Sequence, residues 1–103
     1  MKRLLFIALL LPFTSHAADY VLTIKGHQFQ PAEMKIPSGT KIRLLIENQD
    51  GTPEEFDSHA LNREKVIAGH GTATIYIGPL APGSYPFAGE FNSATAQGVI
   101  IAQ

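Results

Sequence analysis

The stretch EEFDSHALNREK, Glu54–Lys65, gathers four carboxylates, one imidazole and two bases around a single phenylalanine. Carboxylate and imidazole are the side chains that bind hard and borderline cations. If the first five residues form a strand, Glu55 and Asp57 share one face and Phe56 takes the other. Phe56 belongs in a core, so the two carboxylates turn away from it together. A turn at "HAL" then returns the chain and brings Glu64 alongside. Such a set can hold a metal ion. The same residues can also pair with Arg63 and Lys65 across neighbouring strands. Exposed ion pairs of that kind contribute about 0–1 kcal/mol each, and a mixed charged edge also discourages strand-to-strand aggregation. Spacing leaves both readings open.

Other chemistry finds little support. Asp57, Ser58 and His59 are consecutive, and neighbours on a strand point to opposite faces, so they cannot assemble a hydrolase triad. No phosphate-cradling glycine loop opens a helix. His59 and His70, the latter in the glycine-flanked "AGHGT", read as exposed loop residues. Met34 alternates with core positions and reads as core filler.

The elements that must position these residues come from a short chain. It has 103 residues and no cysteine, so neither a thiolate ligand nor a disulfide is available. The N-terminus has Lys2 and Arg3, the apolar run LLFIALLLPF (Leu4–Phe13), then Ser15 and Ala17 in a small-residue cleavage pattern. These are the three parts of a secretory signal peptide. The run is too short to span a bilayer as a mature helix. The expectation is a leader over residues 1–17 and one domain over 18–103, with no membrane span after cleavage. The leader removes two of the eight bases and none of the nine acids, which leaves a net charge of −3. That balance argues against a nucleic-acid partner, which would call for a basic face.

The rest reads as strands. YVLTIK (Tyr20–Lys25), AEMKIP (Ala32–Pro37), KIRLLIEN (Lys41–Asn48), EEFDS, TATIYIG (Thr72–Gly78), SYPFAG and QGVIIAQ are β-rich or alternating. "SGT", "QDGTP" and "PLAPG" punctuate them as turns. LNREK could form one helical turn, and no segment supports a long amphipathic helix. Short strands at this spacing predict an all-β Greek-key sandwich of about seven strands.

The order of signals also resembles a known family. FQP (Phe29–Pro31), MKIPSGTKIRLLIEN, an acidic and histidine-bearing segment, and PLAPGSYPFAGEF follow one another as in cupredoxin-like domains. Across nearly all of residues 18–103 the chain is similar to EfeO-type domains and to the small periplasmic proteins associated with bacterial iron permeases. EEFDSHALNREK and GEFNSATAQG carry that likeness. In copper cupredoxins the closing segment, here from Gly89, holds the ligand loop, and the resemblance puts Gly89 where the thiolate would be. The upstream histidine position falls on Glu54 or Glu55. A blue-copper centre needs a cysteine and two histidines, so the resemblance implies the scaffold without type 1 copper. It also implies that the loop bearing Glu90 and the first turn, with His27, reach the end where Glu55, Asp57 and Glu64 lie. The expected metal set is therefore His27, Glu55, Asp57, Glu64 and Glu90, for Cu(II) or iron rather than Cu(I). The implied role is an accessory of periplasmic metal handling, with a membrane iron permease or other transport component as partner. The rival expectation is a metal-free interaction module. A ferroxidase would further require a redox metal with an open position, and no catalytic residue is assigned.

Overall fold

The computed structural model describes residues 18–103; the expected leader lies outside the described residues. Nine strands follow one another: β1 (Ala18–Lys25), β2 (Gln28–Gln30), β3 (Glu33–Ile36), β4 (Ile42–Asn48), β5 (Glu54–Ser58), β6 (Arg63–Ile67), β7 (Thr72–Ile77), β8 (Gly83–Gly89) and β9 (Gln97–Ala102). A single 3-10 turn (Glu90–Asn92) interrupts the path from β8 to β9. The strands form a four-stranded sheet, β2-β1-β4-β7, and a five-stranded sheet, β3-β9-β8-β5-β6. Pairs β1–β4 and β3–β9 are parallel, and the remaining pairs are antiparallel. Among the described residues no helix is long and apolar enough to cross a membrane.

The expected all-β sandwich is present, with nine strands in place of about seven. The two additional strands are β2, which turns back on β1, and β6, which pairs with β5; β3, expected within AEMKIP, runs beside β9. β6 begins inside LNREK, expected as one helical turn. The first two residues of that segment close a tight turn, with Asn62 at φ 53°, and a strand rather than a helical turn begins at Arg63. Pairing with β5 decides this, because it places Ile67 opposite Glu54 on the buried side.

Alternation builds the core. Leu22, Ile24, Ile42, Leu44, Ile46, Ile75 and Ile77 point inward from one sheet. Met34, Ile36, Phe56, Phe87 and Ile100 meet them from the other. Phe29, Phe56 and Phe87 form one aromatic cluster, with Phe29 edge-on to Phe87 at 5.0 Å and Phe56 stacked on Phe87 at 5.1 Å. Such geometries contribute roughly 0.5–1.5 kcal/mol per pair beyond area burial. Gly98 leaves room for this cluster, since a Cβ there would overlap the Phe87 ring. With Phe56 fully buried, the phase of β5 is fixed, and a slip of one residue would bury Glu55 and Asp57 instead. Asn48 fixes the entry to β5. Its Nδ2 donates to the Thr52 carbonyl at 2.8 Å and its Oδ1 accepts from the Asp50 N–H at 3.0 Å.

Candidate functional site

β5 splits its carboxylates between two environments. Glu54, Phe56 and Ser58 are buried, while Glu55 and Asp57 face outward and are partly exposed. Glu54 is 1 % exposed. Its Oε1 accepts hydrogen bonds from the backbone N–H of Glu55 at 3.0 Å and of Phe91 at 2.9 Å. Its Oε2 accepts from Asn92 Nδ2 at 2.7 Å. No base lies at ion-pair distance from it among the described residues. A buried carboxylate in that position depends on donors fixed around it, and two of the three come from the 3-10 turn.

Gly89 makes the space. A Cβ at this position would lie 2.6 Å from Glu54 Cδ and 2.7 Å from Ala96 Cβ. The loop that follows closes on itself. Gly89 N–H donates to the Ala96 carbonyl, and Ala96 N–H to the Asn92 carbonyl, both at 2.8 Å. Thr95 Oγ1 ties it to the His27 carbonyl at 2.7 Å. Sequence reasoning singled out Gly89 and left Glu54 outside the candidate set. The signal was present in the alternation, because Glu54 shares the phase of Phe56.

The outward carboxylates lie where alternation put them. Asp57 stands directly opposite Glu64 in the β5–β6 pair, and Glu55 stands opposite Val66. The turn after Ser58 therefore does bring Glu64 beside Asp57. The Glu55 carboxyl is pushed above its ordinary value, first by partial desolvation and then by repulsion from Glu64, Asp57, Glu90 and Glu54. Glu90 is thus electrostatically coupled to this face. Arg63 and Lys65 do not relieve the repulsion. They stand opposite Ser58 and Phe56, in the other phase of the strand. Arg63 is engaged elsewhere, donating from Nε to the Tyr76 carbonyl at 3.0 Å and from Nη1 to the Asn62 carbonyl at 2.9 Å. The expected cross-strand ion pairs are absent among the described residues. The pairs found are Arg43 with Asp19 and His27 with Asp50.

His27 belongs to a separate cluster. It sits in the Gly26–His27 turn with φ 55°. The Asp50 carboxylate accepts from the Gly26 N–H at 2.8 Å and the His27 N–H at 2.9 Å, and the His27 ring is 3.6 Å from Oδ2. These two backbone donors hold the Asp50 carboxyl below its ordinary value, with smaller help from the charges of His27 and His70. His59 and His70 are exposed and Met34 is buried, as expected. Among the described residues, no three His, Cys, Asp or Glu side chains converge as a metal-binding group. The outward carboxylates form an open acidic face rather than a closed coordination shell.

A model of the cupredoxin-like domain family matches residues 3–102. The chain belongs to that family. An uncharacterized protein of Rickettsia prowazekii (strain Madrid E) is 50% identical over 80 residues, which is 78% of this chain and 64% of that protein. The chain thus spans less than two thirds of that relative. Auracyanin A, a "blue" copper protein of Chloroflexus aurantiacus, superposes with a TM-score of 0.73 at 11% identity, covering 85% of this chain and 100% of auracyanin. The metal-binding domain of the Cu(I)-exporting ATPase of Streptococcus pneumoniae superposes with a TM-score of 0.69 at 11% identity, covering 82% of this chain and 84% of that one. At such identities the likeness is one of fold. Within this cupredoxin-like domain, the position that the resemblance gives to a thiolate is Gly89, and the Glu54 carboxylate lies against it.

Proposed function

We propose that this cupredoxin-like domain is a periplasmic accessory of metal handling that takes a cation as transient cargo on its outward carboxylates. We further propose that it is not a blue-copper electron carrier. The observation that carries the reading is Asp57 facing Glu64 across β5–β6, with Glu55 beside them and no base in the same phase. Like charges directly opposed destabilise a strand pair. A cation between them removes that penalty, so binding and stability are linked. Glu55, Asp57 and Glu64 would supply oxygen donors, and Glu90 adds negative potential from the loop. His27 lies beside Asp50, with its turn tied to the Glu90-bearing loop by Thr95. Oxygen donors favour hard cations over Cu(I), which weights the reading toward iron ahead of Cu(II). The expected partner is a membrane iron permease or another periplasmic transport component.

Thermal melts of residues 18–103 with iron, Cu(II), Mn(II) and Zn(II) test this. The expected result is a rise in Tm with iron that is lost in the double variant Asp57→Asn/Glu64→Gln. Equal responses of wild type and double variant would remove the cargo site. One observation favours a second reading, a metal-free docking module. Glu54 closes the Gly89–Ala96 loop from inside through its own hydrogen bonds, which supply that loop with a ligand-independent anchor.

A further inference from the structure

Beside the acidic face lies a feature that the cargo reading does not use. β5 and β8 pair at only two positions, Phe56 with Gly89 and Asp57 with Ala88. Pro86 has no N–H to donate, and its carbonyl is taken by Ser58 Oγ at 2.7 Å. The ladder stops there, and the chain leaves the sheet through the turn at His59–Asn62, anchored by Leu61 N–H on Ser58 Oγ at 3.1 Å. The strands separate and leave a groove of about 440 Å³ whose walls include Asp57, His59, Ala60, Pro86, Ala88 and Gln97. A second recess of about 290 Å³ adjoins it, with both Asp57 and Glu64 in its wall. Asp57, Ser58 and His59 separate the two. Arg63 also lines the recess, but its guanidinium is committed to the Tyr76 and Asn62 carbonyls.

We propose that this paired groove and recess dock a basic, extended segment of a partner protein, an aliphatic side chain filling the groove and an arginine or lysine entering the recess between Asp57 and Glu64. Charge complementarity selects this occupant. Ala60, Pro86 and Ala88 give the groove its apolar wall, while its polar extension sets two opposed carboxylates, Asp57 and Glu64, against the one guanidinium of Arg63, whose hydrogen bonds go to backbone carbonyls. A guanidinium or ammonium satisfies both carboxylates at once, and its aliphatic neighbour covers the apolar wall. The inference rests on the docking-module reading and gives that module its surface and the chemistry of its partner.

The test is a titration of the ¹⁵N-labelled domain with a blocked pentapeptide that alternates arginine and valine, in buffer containing EDTA. Amide shifts are expected at His59, Ala88, Gln97 and Gly98, with none from a matched glutamate–valine peptide. Asp57→Asn and the exposed rim variant Gln97→Lys should each weaken binding by about tenfold. Ala88→Leu fills the apolar wall without altering any charge and should abolish it. No shifts, shifts centred on the other sheet, or equal response to the acidic peptide would overturn the proposal. Because EDTA removes free cations, the outcome is separate from the cargo reading. Iron-dependent stabilisation without peptide shifts overturns the docking proposal alone, and peptide shifts without iron stabilisation support it while removing the cargo.

Discussion

Replacing Gly89 by alanine is the sharpest perturbation of the site. Gly89 has φ −89° and ψ 111°, ordinary extended backbone. Alanine adopts these angles freely, so backbone considerations alone predict a gain of about 0.4–1 kcal/mol from a less flexible unfolded chain. The surroundings predict the opposite. The new Cβ would lie 2.6 Å from Glu54 Cδ, 2.9 Å from Glu54 Oε1 and 2.7 Å from Ala96 Cβ. Carbon atoms rest at about 3.5–4.0 Å, so either Glu54 or the loop must yield. Overpacking of this kind costs about 1–3 kcal/mol. If the carboxylate shifts, the N–H of Phe91 and the amide of Asn92 lose their acceptor, which adds roughly 1–3 kcal/mol. The expected net loss is about 2–4 kcal/mol, read as a lower urea midpoint at unchanged slope. For a domain of this size it corresponds to a fall in Tm of roughly 10–25 °C. A double-mutant cycle isolates the cause. Glu54→Ala removes one of the two obstacles and leaves the Ala96 contact, so Gly89→Ala should cost less in that background than in wild type. A Gly89→Ala variant as stable as wild type, or a cycle with no coupling, would refute the claim that Glu54 and Gly89 share one space.

The remaining predictions concern the charges. The folded Glu55 carboxyl lies above its ordinary value, so the stability it confers is present below its unfolded value and is lost as pH rises through the folded one. Tm of the metal-free domain at neutral pH should therefore rise in Glu55→Gln, and a Tm below wild type would contradict this sign. Asp50 is shifted the other way, so its contribution holds above the unfolded carboxylate value and disappears as pH falls through the folded one. Asp50→Ala should lower Tm at neutral pH and speed amide exchange at Gly26 and His27; unchanged exchange would show that the Asp50 carboxylate does not hold that turn.

Much of this architecture was legible in the residues. Strand alternation gave the buried phase of Phe56, the shared face of Glu55 and Asp57, and the return of Glu64 to their side. Turn residues gave most strand boundaries. The misses have physical causes. Three-residue β2 is too short to show a period, and β6 is exposed at four of its five positions and shows no alternation, so the expected strand count is low by these two. Pairing of Glu55 and Asp57 with Arg63 and Lys65 stays open in the sequence because opposite charges lie close along the chain. Register, which no local pattern reveals, put them in the other phase. The resemblance places His27 near the carboxylates; the contacts of its turn are to Asp50 and, through Thr95, to the closing loop. Glu54 lies outside the expected set because that set is built on the face shared by Glu55 and Asp57, and Glu54 takes the other. Its partners are backbone and amide donors from a loop 37 and 38 residues away.

The two adjacent glutamates of β5 show how one strand separates stability from recognition. Glu54 and Glu55 are chemically identical, and alternation alone gives them opposite tasks. Glu54 faces Gly89 and organises the closing loop through two of its three hydrogen bonds, those from Phe91 and Asn92. Because the loop is held from within, its order does not depend on what binds outside. Glu55 faces Asp57, Glu64 and Glu90, where repulsion is left unrelieved. That repulsion lowers the stability of the unliganded domain and raises its preference for a positive partner, whether a cation or a basic side chain. Substitutions on the outward face should therefore alter binding with little loss of fold. Substitutions at Glu54 or Gly89 should unfold the loop before they touch the chemistry of the face. This division requires Phe56 to stay buried, since its burial fixes which glutamate points which way.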